Sequence, residues 1–73
     1  MQLAKALKIL RRKTFMTQER FAKELCVTVS TINRWEHEKS RPNLTAMKNI
    51  KLYCEKTGQR FDSVEKAWLK EQN

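Results

Sequence analysis

The sequence predicts an all-α protein, a compact bundle of five short helices. Apolar residues recur almost throughout with the i, i+3, i+4, i+7 spacing of amphipathic helices. One glycine and one proline are too few for a turn-dense β fold. With 73 residues, of which 40% are apolar, the chain is expected to form a single domain, 1–73, around a small core.

The first helix is predicted from apolar residues on one face, namely Leu3, Ala6, Leu7 and Leu10. We expect it to end near Arg12 or Lys13, and a short link over residues 14–16 to follow. Within that link, Phe15 and Met16 are expected to pack on the core, because adjacent large apolar groups seldom face water.

Two short helices lie close together within residues 17–36. Thr17 can accept a hydrogen bond from a free backbone N–H, so it is predicted to cap the second helix, which runs to about Leu25. Thr28 is predicted to cap the third helix in the same way, over residues 29–36 or 37.

Two further helices complete the predicted bundle. Pro42 disfavours a helical residue before it, which predicts a loop over 39–42. Asn43 is expected to cap a fourth helix, about 44–57, and Asp62 or Ser63 a fifth, about 62–71. The residues expected to face the core from these two helices are Leu44, Met47, Ile50, Cys54, Val64, Ala67 and Trp68.

The charge balance restricts the partner. Sixteen Lys and Arg against eight Asp and Glu give a net charge of +8, which favours a polyanionic partner such as nucleic acid, an anionic membrane or an acidic protein. The alternative that the excess lysines serve only to keep the protein soluble stays open. A membrane surface is the weakest hypothesis, because the basic residues do not oppose one broad apolar face.

Catalytic and metal chemistry find little support. Cys26 and Cys54 lack the CxxC spacing of a zinc site, and His37 is the only histidine. No signal peptide and no apolar run of about 20 residues is recognisable, so we expect a cytoplasmic protein with both thiols reduced and buried. We therefore expect no enzyme activity, no cofactor, no metal, no membrane and no small-molecule substrate.

The closely spaced second and third helices point to DNA. A helix, a tight turn and another helix can place one helix across the DNA backbone and the other in the major groove, which is about 12 Å wide. Arg can bind guanine through two hydrogen bonds, Asn can pair with adenine, and Val can contact a thymine methyl group. The third helix offers these side chains in Val29, Ser30, Asn33 and Arg34.

The segment LRRKTFMTQERFAKELCVTVSTINRWEHEKSRPNLTAMKNI resembles the XRE or lambda-repressor-like (Cro/C1-type) helix-turn-helix family. Its fixed points are Leu-Arg in helix 1, Thr-Gln opening helix 2, Ala22, Val27, Ile32, Glu36, and Arg-Pro-Asn before helix 4. Cys26 and Glu38 stand where the family usually has glycine. Glycine is favoured at such positions because it can adopt a positive φ without steric cost. Each replacement implies slight strain or a changed local turn.

The resemblance implies roles for individual residues. Base-facing positions correspond to Val29, Ser30, Asn33 and Arg34, and phosphate-binding or positioning ones to Gln18, Thr28, Lys39, Ser40, Arg41 and Asn43. Gln18 would also support the recognition helix, and Thr28 would act mainly as a cap. Arg11 and Glu36 match a partly buried ion pair between helices 1 and 3.

The leading hypothesis is a transcriptional regulator that binds double-stranded DNA sequence-specifically and represses by occupying an operator. Such domains usually read palindromes as homodimers. Phe61, Trp68 and Leu69 are the candidate interface residues, although Phe61 and Trp68 are rather expected to close the core. Two other hypotheses stay open: the DNA-targeting module of a larger helicase or DNA-modifying protein, and an antitoxin or coactivator-like protein-interaction module.

Overall fold

A computed structural model describes residues 2–71, and five α-helices account for most of them. Their bounds are α1 Gln2–Lys13, α2 Gln18–Glu24, α3 Val29–Glu36, α4 Leu44–Thr57 and α5 Asp62–Lys70. No strand occurs within the described residues, which span 29 × 24 × 20 Å. The predicted all-α bundle is confirmed.

The core lies where α1, α2, α3 and α4 converge. Phe21 of α2, Ile32 of α3 and Ile50 of α4 are completely buried, and the ring of Phe21 meets Tyr53 edge-on at 5.5 Å between centroids. α1 packs against both α3 and α5, and α2 packs against α3. Because each large apolar side chain contributes about 1.5–3 kcal/mol on burial, this convergence fixes the mutual positions of α2 and α3.

Three of the predicted N-caps are confirmed. The side chain of Thr17 accepts a hydrogen bond from the N–H of Arg20 at 3.1 Å, and Thr28 accepts one from Thr31 at 3.2 Å. Asn43 Oδ1 does the same for the N–H of Ala46 at 2.8 Å. Each bond satisfies a backbone donor that the first helical turn leaves free.

The predicted cap of the fifth helix is wrong. Phe61 occupies the N-cap position and makes no side-chain cap hydrogen bond, while Asp62 is already the first residue of α5. The carboxylate of Asp62 instead accepts hydrogen bonds from Arg60, with Nε–Oδ1 at 3.2 Å, and this contact lowers the pKa of Asp62.

Four helices end in the same left-handed turn, but only α4 uses glycine for it. Within the described range, 2–71, the residues with positive φ are Phe15 (57°), Cys26 (59°), Glu38 (62°) and Gly58 (72°). The next residue then donates its N–H to a carbonyl five positions earlier, as in Val27 to Ala22 at 2.9 Å. This is the Schellman arrangement, in which the left-handed residue is most often glycine. Cys26 and Glu38 therefore adopt the backbone conformation that glycine would, rather than a different turn.

Three side chains expected in the core face solvent instead. Phe15 is 96% exposed and Leu44 is 75% exposed, and the free thiol of Cys26 is exposed as well. Phe15 and Cys26 occupy left-handed turns, which direct their side chains outward. Leu44 is the first residue of α4, and at about 100° per residue it lies off the buried face that Ile50 and Cys54 define. Met16 does pack against the core, as expected.

Candidate nucleic-acid interface

Residues 17–36 form a helix-turn-helix held together by its own turn. Leu25 is the C-cap residue of α2 and donates its N–H to Phe21 O at 3.0 Å. The N–H of the next residue, Cys26, donates to Lys23 O at 3.3 Å. Leu25 and Ile32 are completely buried between the two helices and the rest of the core. The turn and this shared apolar contact fix α3 relative to α2.

A buried ion pair joins α1 to the end of α3. Arg11 donates two hydrogen bonds to Glu36, Nε to Oε2 at 2.8 Å and Nη2 to Oε1 at 3.0 Å. Among the residues that the structure describes, Glu36 is the only charged one in the core, with 7% of its surface exposed. Burial alone would raise the pKa of Glu36, but the hydrogen bonds from Arg11 and Gln18 outweigh it, so the pKa lies below its ordinary value. The ion pair that the resemblance implied is present.

Gln18 connects this ion pair to the exposed face of α3. Its Nε2 donates to Glu36 Oε1 at 3.0 Å, and its Oε1 accepts a long hydrogen bond of 3.4 Å from Asn33 Nδ2. Gln18 thus touches both the buried and the exposed side of α3 from the first turn of α2. This contact is the support for the third helix that the resemblance implied.

The outward face of α3 carries the side chains predicted to face bases. Val29, Ser30, Asn33 and Arg34 are all exposed. On the opposite face, Ile32 and Trp35 are buried, so the helix is divided into an apolar inner side and a polar outer side. Within residues 2–71, the guanidinium of Arg34 has no hydrogen-bond or ion-pair partner, which leaves all its donors free for a ligand.

Four of the six residues predicted to bind or position phosphates lie at the surface in two groups. Lys39 and Ser40 are exposed just beyond the end of α3, where the N–H of Lys39 bonds to Arg34 O at 2.8 Å. Thr28 and Asn43 use a side-chain oxygen to cap α3 and α4, and both remain at the surface.

The side chain of Arg41 contacts Trp68 of α5. Its Nη2 donates to the carbonyl of Trp68 at 2.9 Å, and its guanidinium carbon lies 4.5 Å from the centroid of the Trp68 ring. Its Nη1 is buried and finds no hydrogen-bond partner among residues 2–71. Trp68 Nε1 in turn donates to Pro42 O at 2.7 Å, so the loop before α4 is fastened to α5. The sequence analysis assigned Arg41 to phosphate binding and did not predict this tether between Arg41 and Trp68. The sequence shows only an Arg and a Trp that are far apart in the chain, which does not indicate a contact.

The comparison with known families agrees with this geometry. A helix-turn-helix family model matches residues 7–57, which is more than half of the chain. The chain belongs to the XRE/lambda-repressor-like helix-turn-helix family. This is a family of DNA-binding regulatory domains. No curated protein and no solved structure shows a significant match to the chain.

The part matched by the helix-turn-helix family ends before α5. α5 nevertheless contributes Val64 and Ala67 to the core, and Phe61 and Trp68 pack against it. Trp35 of α3 is also buried, so its side chain packs in the core. Leu69, which sequence reasoning left open, is 56% exposed. The tether from Arg41 to Trp68 thus joins the family region to the helix that lies outside it.

Neither a membrane-spanning helix nor a metal-binding cluster occurs in the part of the chain that the structure describes. In residues 2–71, no helix is long and apolar enough to cross a membrane. The same residues hold no group of three His, Cys, Asp or Glu side chains placed to bind a metal ion.

Proposed function

We propose that this protein is a sequence-specific regulator that binds double-stranded DNA with α3 in the major groove and represses transcription by occupying its operator. The observation that carries the proposal is the outward face of α3, where Ser30, Asn33 and Arg34 are exposed together. The network of Arg11, Glu36 and Gln18 behind that face holds the helix in a defined position. Such a fixed polar helix suits recognition of base edges.

Base contacts are assigned to the outward face of α3. Arg34 has unpaired donors in a fork that fits the O6 and N7 atoms of guanine. Asn33 can offer its amide to adenine while its weak bond to Gln18 lengthens, and Val29 can contact a thymine methyl group. Ser30 lies beside them and can donate to either kind of base.

Phosphate contacts are assigned to both flanks of α3. On one side, Gln18 at the start of α2 would bond a phosphate, with Thr28 as a secondary contact. On the other, Lys39 and Ser40 would bind the phosphates beyond the helix end, together with Asn43 at the start of α4. Such contacts set register and much of the affinity, and base contacts choose the sequence. Arg41 is left out of this clamp, because Trp68 engages its guanidinium.

Binding to a palindromic operator as a homodimer is part of the proposal. Two copies on DNA would place their α3 helices about 34–36 Å apart, one helical turn of the duplex. The exposed Leu69 on α5 is a candidate for the contact between copies. Selected binding sites with two-fold symmetry and stepwise saturation at two chains per duplex would support this arrangement.

Binding-site selection from random duplexes tests the proposal. The wild-type chain should enrich one sequence, and Arg34→Ala should relax the preference at one base pair, at a cost of about 1–3 kcal/mol. Lys39→Ala should weaken all duplexes alike and reduce the slope of log K against log salt by about one. Lys5→Ala on the exposed face of α1 is the matched control and should leave sequence preference unchanged. If wild type and Arg34→Ala enrich identical sites with equal affinity, α3 is not the reading helix.

A further inference from the structure

Phe15 lies at the tip of the α1–α2 turn with its ring in water. It is 96% exposed, more than any other large apolar residue described. Its φ of 57° lies in the left-handed region, which disfavours residues with a Cβ atom. Its side chain adds little to the core, so neither packing nor backbone preference accounts for phenylalanine at this position.

The turn that carries Phe15 is fixed to the core on both sides. On one side, Thr14 Oγ1 accepts a hydrogen bond of 2.6 Å from the hydroxyl of Tyr53. On the other, the carbonyl of Met16 accepts one of 3.0 Å from Arg11 Nη1. Phe15 itself donates its N–H to Arg12 O at 3.0 Å. Because both neighbours are tied to the core, the turn cannot readily rotate to bury the ring.

The same contacts tie Phe15 to the proposed DNA-binding face. The Arg11 guanidinium that bonds to Met16 also binds Glu36, which accepts from Gln18. Gln18 follows Phe15 by three residues, so their Cα atoms are at most about 11 Å apart. A phosphate bound by Gln18 would therefore lie near the turn that carries Phe15, with the deoxyriboses beside that phosphate close to the turn.

We propose that Phe15 is a further DNA-contacting residue, whose ring packs on a deoxyribose beside the phosphate bound by Gln18. This rests on the proposed function. Deoxyribose is the apolar part of the DNA backbone and is present at every nucleotide, so the contact adds affinity without sequence preference. It neutralises no phosphate, so it releases no counterion. These two properties separate it from the contacts of Arg34 and Lys39.

Phe15→Gly tests the contact without endangering the fold. Glycine accepts positive φ freely, so the variant should unfold at a higher temperature than wild type. It should nevertheless bind all duplexes about fivefold more weakly, with an unchanged salt slope. Phe15→Tyr should keep affinity within about twofold. Leu52→Ala, which trims an exposed leucine on α4, is the control and should bind as wild type does. Fluorescence anisotropy over a salt series gives affinity and slope together.

Each other outcome has a defined meaning. If Phe15→Gly binds as tightly as wild type while Arg34→Ala relaxes the selected sequence, the Phe15 contact is excluded and the proposed function stands. If Phe15→Gly loses the preference at one base pair, or changes the slope of log K against log salt, a deoxyribose contact is excluded. If the loss of affinity follows a change in self-association of the free protein on sedimentation, Phe15 contacts protein rather than DNA. If the wild-type chain binds no duplex, both the proposed function and the Phe15 contact are excluded.

Discussion

The guanidinium of Arg11 donates two hydrogen bonds to the carboxylate of Glu36, Nε to Oε2 at 2.8 Å and Nη2 to Oε1 at 3.0 Å. Both side chains are largely withdrawn from water, with 14% and 1% exposed. Arg11 also bonds to the carbonyl of Met16, and Glu36 also accepts from Gln18. One ion pair therefore fixes the end of α3, the start of α2 and the turn between α1 and α2.

Removing one member of this pair should destabilise the fold strongly. Glu36→Gln leaves the Arg11 charge without a counter-ion in a half-buried site, and we expect a loss of about 3 kcal/mol in the free energy of unfolding. Urea unfolding followed by circular dichroism measures it. Arg60→Gln, which removes an exposed pair with Asp62, is the control and should leave the urea midpoint unchanged. Equal midpoints for Glu36→Gln and wild type would show that the pair does not stabilise the protein.

The ion pair should also make stability depend on pH. The pKa of Glu36 is lower in the folded protein than in the unfolded chain, where it is about 4.3. The unfolded chain therefore binds the proton first, so the stabilisation is complete above about pH 5 and is lost as pH falls through the folded pKa. We expect the difference in unfolding free energy between wild type and Glu36→Gln to shrink steadily below about pH 4. A difference that stays constant down to acid unfolding would contradict this linkage.

Local hydrogen-bond chemistry explains which parts of the fold could be predicted. Thr17, Thr28 and Asn43 cap helices through bonds to residues three positions ahead, so a short stretch of sequence contains all the information. Helical periodicity likewise placed Ile32 and Ile50 in the core. These contacts need no knowledge of how the helices meet.

What the sequence could not predict depends on backbone geometry and on distant packing. Glycine at a left-handed turn is readable from sequence, but Phe15 at such a turn is not, because only the finished cap shows its positive φ. The direction of Arg41 depends on Trp68, which lies 27 residues further along the chain. In the candidate site, the exposure of Asn33 and Arg34 followed from the helix period, whereas Arg41 required the position of α5.

Relieving a left-handed turn should stabilise the protein. Cys26 has φ of 59° and an exposed side chain, so Cys26→Gly removes strain at no loss of packing. We expect a gain of about 1 kcal/mol, or roughly 4–8 °C in the thermal midpoint. Cys26→Ala keeps the strain and should give no gain, which separates the backbone effect from loss of the thiol.

The converse substitution checks the same physics. A Cβ added at Gly58, where φ is 72°, would meet no atom within 4 Å. Gly58→Ala should therefore lose about 1 kcal/mol through backbone conformation alone. A stabilised Gly58→Ala, or a destabilised Cys26→Gly, would show that these left-handed turns do not cost free energy in this chain.

Arg41 and Lys39 lie two residues apart but should respond differently to substitution. Arg41→Lys keeps the positive charge but loses the fork and the flat stack on Trp68, so we expect it to lower the free energy of unfolding by about 1–2 kcal/mol. Arg41→Gln should be at least as destabilised, yet its DNA binding, measured well below its unfolding temperature, should keep the wild-type salt slope. Lys39→Ala should show the opposite pattern, with normal stability and a slope reduced by about one. If Arg41→Gln reduces the slope by the same amount, then Arg41 leaves Trp68 on the DNA and binds a phosphate there.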